Sequence, residues 1–164
     1  MCNHDTETPT VHIYKSTRKL VAKCGNEILL CCPIGLGPCP EGHKQREGDG
    51  RTPEGTYRIC TRNARSRYTL FLGLSYPSRR DARFAFRGGV IDSATLRTIR
   101  AAHARRLRPP WKTPLGGEIG IHGGGIPHGN GLADSTAGCI ALTDENILAL
   151  WDITRLGTRV VIHP

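Results

Sequence analysis

Apolar and polar residues alternate along several short stretches of this chain, the period of half-buried β-strands. Val11-His12-Ile13-Tyr14 predicts a first strand, and Lys15-Ser16 leads out of it into a turn. Leu20 to Cys24, a Gly25-Asn26 turn and Ile28 to Cys32 predict a hairpin. Residues 33–56 are crowded with glycine and proline and predict loop. Tyr57-Arg58-Ile59-Cys60 resumes a strand. Tyr68 to Leu74 is another, with Leu70, Leu72 and Leu74 on one face. Glu118 to His122 alternates up to its histidine, and Thr158 to Ile162 closes the chain as a strand.

The period lengthens in two places. Asp92 or Ser93 can cap a helix reaching about Leu107, with Leu96, Ile99, His103 and Leu107 as its buried side and Pro109-Pro110 as its stop. Arg97 and Arg105 point away from that side. Thr143 can cap a shorter helix carrying Ile147, Leu148, Leu150 and Trp151, with Gly157 at its C-terminal turn. No internal repeat or domain linker interrupts the order. The expectation is a single α+β domain, mainly β with a few short helices, over residues 10–164, preceded by a polar extension at 1–9.

Length and charge narrow this picture. The 164 residues suffice for one domain with a real core. The net charge of +9 favours an acidic partner such as nucleic acid, an anionic surface or an acidic wall polymer. Much of it lies between Arg79 and Arg108, which predicts either a solvated basic face or a binding patch. Only 5% of residues are aromatic, so the stacking platforms of a single-strand nucleic-acid binder are scarce. No apolar run reaches the roughly 18 residues of a membrane span. Residues 1–9 lack the apolar core of a leader, so the chain is expected to be cytosolic, a mature form, or exported without one. Seven cysteines leave an odd thiol if six pair, and Cys31 and Cys32, adjacent in a strand, point to opposite faces.

The chemistry concentrates in one segment. Ile121-His122-Gly123 is followed, seventeen residues after the histidine, by Cys139 in Ser135-Thr136-Ala137-Gly138-Cys139-Ile140. A free thiol is mostly protonated near neutral pH, so a nucleophilic Cys139 needs a base, and His122 supplies one. Gly138 permits a sharp turn that aims amide groups at a developing oxyanion. Ser135 and Thr136 stabilise that turn, and either can also bond substrate. Asp134 reads as a turn residue, Tyr76 as core or groove wall, and Thr52, Pro53 and Gly55 as a turn beneath the site. A zinc site from His122, His128 and Cys139 matches no usual ligand spacing. No metal or cofactor is expected.

These segments together resemble the YkuD-type L,D-transpeptidase catalytic domain, and the smaller ErfK/YafK-like branch in particular. Thr52-Pro53-Glu54-Gly55-Thr56-Tyr57, Tyr76-Pro77 with Asp81 and Ala82, Leu115 to Gly123, and Ser135 to Cys139 carry the resemblance in order and spacing. It implies a β-rich fold acting on peptidoglycan stem peptides, in the periplasm or cell envelope. Cys139 would be the nucleophile, His122 the base, and the Gly123 carbonyl the group orienting the imidazole. The N–H groups of Gly138 and Cys139 would hold the oxyanion. The acyl-enzyme would pass to an amine (cross-linking) or to water (carboxypeptidase or endopeptidase activity).

Two positions depart from the family's common pattern. Ala137 stands where many members carry a second histidine, so either the backbone donors suffice or His128 reaches in. Ala141 stands where many carry an arginine, which leaves donor-carboxylate recognition to another residue. Arg87 and Arg51 are candidates on residue type alone. The competing expectations are an antibacterial effector with the same fold, a wall-binding domain with a spent site, and a basic nucleic-acid-binding module.

Overall fold

The computed structural model describes residues 8–164, so most of the expected extension, with Cys2, lies outside the described residues. Ten strands and three helices follow in chain order. They are β1 (Thr10–Tyr14), β2 (Lys19–Cys24), β3 (Glu27–Pro33), β4 (Gly55–Ser66), β5 (Thr69–Leu74), α1 (Arg79–Arg87), α2 (Ser93–Ala104), β6 (Gly120–His122), β7 (Pro127–His128), β8 (Gly131–Leu132), β9 (Ile140–Ala141), α3 (Asp144–Ile153) and β10 (Arg159–His163). Eight strands form one curled sheet in the order β3-β2-β1-β10-β4-β5-β6-β9, and β7-β8 is a separate two-stranded ribbon. The domain is mostly β, with three short helices.

The alternation seen in the sequence is what buries the core. Val11 and Ile13 of β1, Leu20 and Ala22 of β2, and Val160 and Ile162 of β10 all lie within it. The chain's two ends meet, because β10 inserts between β1 (parallel) and β4 (antiparallel). The β2–β3 hairpin turns at Gly25, whose φ of 55° a glycine adopts without strain. Cys31 is exposed and Cys32 buried, as adjacent strand residues should be.

The short strands β7, β8 and β9 were not expected, and β6 starts at Gly120 rather than Glu118, which lies in the left-handed region (φ 55°). Three longer elements also differ from the sequence reading. Helix α1 was not expected, because only Ala82 and Ala85 supply its buried apolar face while Phe84 and Phe86 stay exposed. A capping box marks its start: Asp81 N–H donates to Ser78 Oγ (3.1 Å), and Ser78 N–H donates to Asp81 Oδ2 (2.7 Å). Helix α2 ends at Ala104 rather than near Leu107. Arg106 turns left-handed (φ 55°), Leu107 N–H closes back onto the Ala102 carbonyl, and Leu107 is left exposed. Strand β4 has 12 residues, three times the four read from the sequence, because it continues through the less buried arm over residues 61–66.

The loop over residues 34–54 is ordered by two buried lysines. Lys15 Nζ donates to the carbonyls of Gly42 (2.6 Å) and Thr52 (3.1 Å) and pairs with Glu54 (2.8 Å). Lys44 Nζ pairs with Asp49 (2.9 Å), whose carboxylate also accepts the N–H groups of Gln45, Arg46 and Arg51. Burial alone would raise the Asp49 pKa, but these bonds outweigh it and hold the carboxyl below its ordinary value.

Asp81 ties the same loop to α1. It accepts from Tyr57 Oη (3.0 Å) and pairs with His43 Nε2 (3.2 Å), while His43 Nδ1 accepts from Glu54 N–H (2.9 Å). Nδ1 is therefore an acceptor, and the Nε2 proton points at Asp81. The arginines of α1 and α2 face solvent, as a basic face. Among the described residues no helix is long and apolar enough to cross a membrane.

Candidate active site

Strand register sets His122 and Cys139 on one face of neighbouring strands. β6 pairs antiparallel with β5 (Phe71 opposite His122) and parallel with β9 (His122 opposite Ala141, Ile121 opposite Ile140). Cys139, two residues before Ala141, emerges on the face that His122 occupies. Gly120, two residues before His122, has no side chain on that face. A Cβ there would meet the Phe71 ring at 2.5 Å.

His122 is buried at the strand end. Its Nδ1 lies 2.7 Å from the Gly123 carbonyl oxygen, an acceptor only, so Nδ1 carries the proton and Nε2 the lone pair. Gly123 is itself anchored, its N–H donating to the Tyr68 carbonyl (3.0 Å). The next peptide N–H, of Gly124, donates to Asp144 Oδ1 (2.8 Å) at the start of α3. The imidazole stacks on Tyr68 (centroids 4.3 Å apart) and lies nearly parallel to Phe71 (6.5 Å). Burial lowers the His122 pKa. The bond to Gly123 opposes this, and the charge of Arg67 adds to it. The ring is thus neutral at physiological pH.

Cys139 is half-buried. Its Sγ donates to the Glu118 carbonyl (3.3 Å). Burial pushes the thiol up to about 11, more than the Gly120 N–H and the Lys44 charge pull it down. The thiol and the imidazole each rest neutral, so a thiolate forms only when a proton is passed on.

The loop before the cysteine is held from within. Gly138 has a φ of 132°, and a Cβ there would lie 2.6 Å from the Arg51 carbonyl. Its carbonyl accepts from Thr52 Oγ1 (2.8 Å). Its N–H donates to Thr136 Oγ1 (3.1 Å), a bond that has to open before this N–H can serve an oxyanion. Thr136 Oγ1 also donates to the Cys139 carbonyl (2.7 Å). Ser135 is exposed. Asp134 pairs with Arg18 (2.7 Å) and accepts from Leu36 N–H (2.8 Å), a structural role. Tyr76 is fully buried and donates to the Leu115 carbonyl (2.9 Å).

His128 sits exposed on the β7–β8 ribbon, and its ring makes no hydrogen bond among the described residues. Arg87 ends α1 on the basic face. Arg51 approaches the site through its backbone. Among the described residues no cluster of three or more His, Cys, Asp or Glu side chains is placed to hold a metal. The sequence reading missed Tyr68, Phe71, Arg67, Lys44 and Asp144. No local pattern marks them, because each reaches the site from a different element.

A single curled β-sheet with three short helices is the kind of domain this is. The chain belongs to the YkuD family, the L,D-transpeptidase catalytic domain, which matches residues 8–162. Among solved structures, the fold is similar to the helical cell shape determining protein Pgp2 of Campylobacter jejuni (K307A mutant). The two are 21% identical with a TM-score of 0.63, over 97% of this chain and 48% of that one. It is similar to Bd1075 of Bdellovibrio bacteriovorus (21% identity, TM-score 0.59, 96% of this chain and 48% of that one). It is also similar to the L,D-transpeptidase of Xylanimonas cellulosilytica (14%, 0.55, 97% and 62%). The chain thus spans about half the length of the first two. No curated protein matches by sequence.

Proposed function

We propose that the protein is a cysteine-dependent L,D-transpeptidase of the cell envelope that acts on peptidoglycan stem peptides through an acyl-enzyme on Cys139. One observation carries this reading: His122, with Nδ1 committed to the Gly123 carbonyl, keeps a basic Nε2 on the face where Cys139 emerges.

The chemistry follows from the protonation states. A rotation about the Cys139 Cα–Cβ bond exchanges the Glu118 carbonyl for Nε2 as acceptor of the thiol proton. His122 takes that proton as Sγ attacks the carbonyl carbon that follows the L-centre of the diamino acid. The oxygen gains negative charge and is held by backbone N–H groups, that of Cys139 and, once released by Thr136, that of Gly138. The C–N bond then breaks, His122 returns the proton to the departing D-alanine amine, and a thioester remains. An amine acceptor makes a cross-link; water makes a trimmed stem. The basic surface suits a substrate rich in carboxylates.

The test is a digest of isolated sacculi by the wild-type protein and by Cys139→Ala, read as muropeptides by mass spectrometry. Loss of tetrapeptides with gain of tripeptides or cross-linked species is expected from the wild type alone. An unchanged muropeptide profile with the wild type sinks the reading.

A further inference from the structure

Strand β9 places Ala141 opposite His122, so the strand beside the base brings it no cation. The positive charge near His122 arrives from the tip of the β4–β5 hairpin. There the Tyr68 ring stacks on the imidazole, and the Arg67 guanidinium lies 4.7 Å from the centroid of that same ring. Arg67 Nη2 also donates to Tyr68 Oη (2.6 Å). Arg67 is exposed, and among the described residues it has no carboxylate partner. Lys44, whose charge falls on Cys139, is the contrasting case. It is buried, with two of its three donors committed to Asp49 and the Arg46 carbonyl and its charge already paired with a carboxylate.

We propose that Arg67, seated on the Tyr68 ring beside His122, binds the terminal carboxylate of the D-alanine that leaves the stem peptide. The proposal rests on the acyl-transfer reading above. His122 has to hand its proton to the leaving amine, which places that nitrogen about 3 Å from Nε2. The D-alanine carboxylate carbon is two bonds from the nitrogen, so its oxygens lie within roughly 6 Å of the imidazole. A guanidinium presents a planar fork that matches a carboxylate with two parallel N–H bonds. The Tyr68 platform restricts the rotamers of Arg67 and lowers the entropy cost of using it. Binding also couples to chemistry. The bare cation disfavours a charged His122, and a bound carboxylate cancels that field when the imidazole must accept the thiol proton.

The test uses two tetrapeptide stems, one ending in free D-alanine and one in D-alaninamide. Wild type, Arg67→Gln and Arg67→Lys are compared for release of the terminal residue. The wild type is expected to favour the acid by about tenfold in KM. Arg67→Gln should raise KM for the acid about tenfold, with kcat little changed and the amide unaffected, and Arg67→Lys should recover part of the loss. The same peptides titrated into Cys139→Ala protein, with and without Arg67→Gln, report binding without turnover. An acid preference that survives Arg67→Gln, or an equal loss for both peptides, overturns the subsite and leaves the reaction standing. Arg67-dependent binding of the acid with no D-alanine release by the wild type overturns the acyl-transfer reading and leaves the subsite.

Discussion

Replacing Gly123 by alanine tests how rigidly His122, the proposed base, is held. A Cβ at this position would lie 2.5 Å from Asp144 Oδ1, 2.7 Å from the Tyr68 carbonyl oxygen and 2.9 Å from Ile147 Cγ2. Ordinary contact requires roughly 3.5 Å, so three neighbours must each give by about 0.5–1 Å. None is free to do so. Tyr68 O accepts the Gly123 N–H, Asp144 accepts the Gly124 N–H, and Ile147 is fully buried. Overpacking of this kind costs about 1–3 kcal/mol. The same displacement moves the carbonyl that fixes His122 Nδ1 at 2.7 Å. A misplacement of about 1 Å in a catalytic group can lower the rate about 100-fold. Denaturant unfolding should therefore show a loss of about 1–3 kcal/mol for Gly123→Ala. Alkylation of Cys139 by iodoacetamide at pH 7 should slow by one to two orders of magnitude, in about the range set by lost orientation. A variant that loses stability but keeps the wild-type alkylation rate would refute the orienting role of the Gly123 carbonyl. One unchanged in both would refute the packing argument as well.

Three further outcomes are expected. The alkylation rate of Cys139 should hold a plateau from neutral pH to below 6.5, because His122, lowered by burial, stays neutral there. It should rise again only as the thiol's own value of about 11 is approached. A plateau that persists in His122→Gln argues against His122 as the base. Asp81→Ala leaves Tyr57 Oη, Ser78 N–H and the His43 Nε2 proton without their shared buried acceptor, and should cost about 3 kcal/mol in a urea melt. A loss under about 0.5 kcal/mol, the size of an ordinary surface substitution, contradicts that account. His103 and His122 both titrate below the ordinary 6.5 because burial disfavours their charged forms. The unfolded chain therefore takes up protons before the folded one. Stability is full above pH 6.5 and is lost as pH falls through the folded values. The lowered carboxyls act only below 3.8, outside this window. Tm measured from pH 8 to 5 should fall with acid, and less steeply for His122→Phe; a flat or rising Tm contradicts the assignment.

Local patterns were legible where one residue reports on its own surroundings. The alternation of Val11 with Ile13, and of Val160 with Ile162, predicted two strands that the sheet places side by side. The Thr143 cap was legible because an N-cap acts within one turn, and its hydroxyl does accept the Asn146 N–H (3.3 Å). Helix α1 was not, since its buried face is two alanines and its phenylalanines stay in solvent; the Ser78…Asp81 box was the available signal. Leu107 had the right spacing for α2, but Arg106 in the left-handed region ended the helix first.

The site divides along the same line. The histidine before Gly123 and the glycine–cysteine turn are each written in consecutive residues, so the candidate thiol, imidazole and turn were legible in the chain alone. Which face they share is a matter of register: the parallel pairing of β6 with β9 and the antiparallel pairing with β5 bring together residues 19 to 51 positions apart. Tertiary contacts alone put Tyr68 on the imidazole, aim the Nδ1 proton at an anchored carbonyl, and bury Lys44 within range of the thiol. They also set the protonation states, because desolvation depends on everything packed around a group and not on its neighbours in sequence. Residue order alone set a thiol, an imidazole and a glycine turn within one short segment. The fold decided that both rest neutral, because burial disfavours their charged forms, and it seated Arg67 on the Tyr68 ring with no carboxylate partner among the described residues.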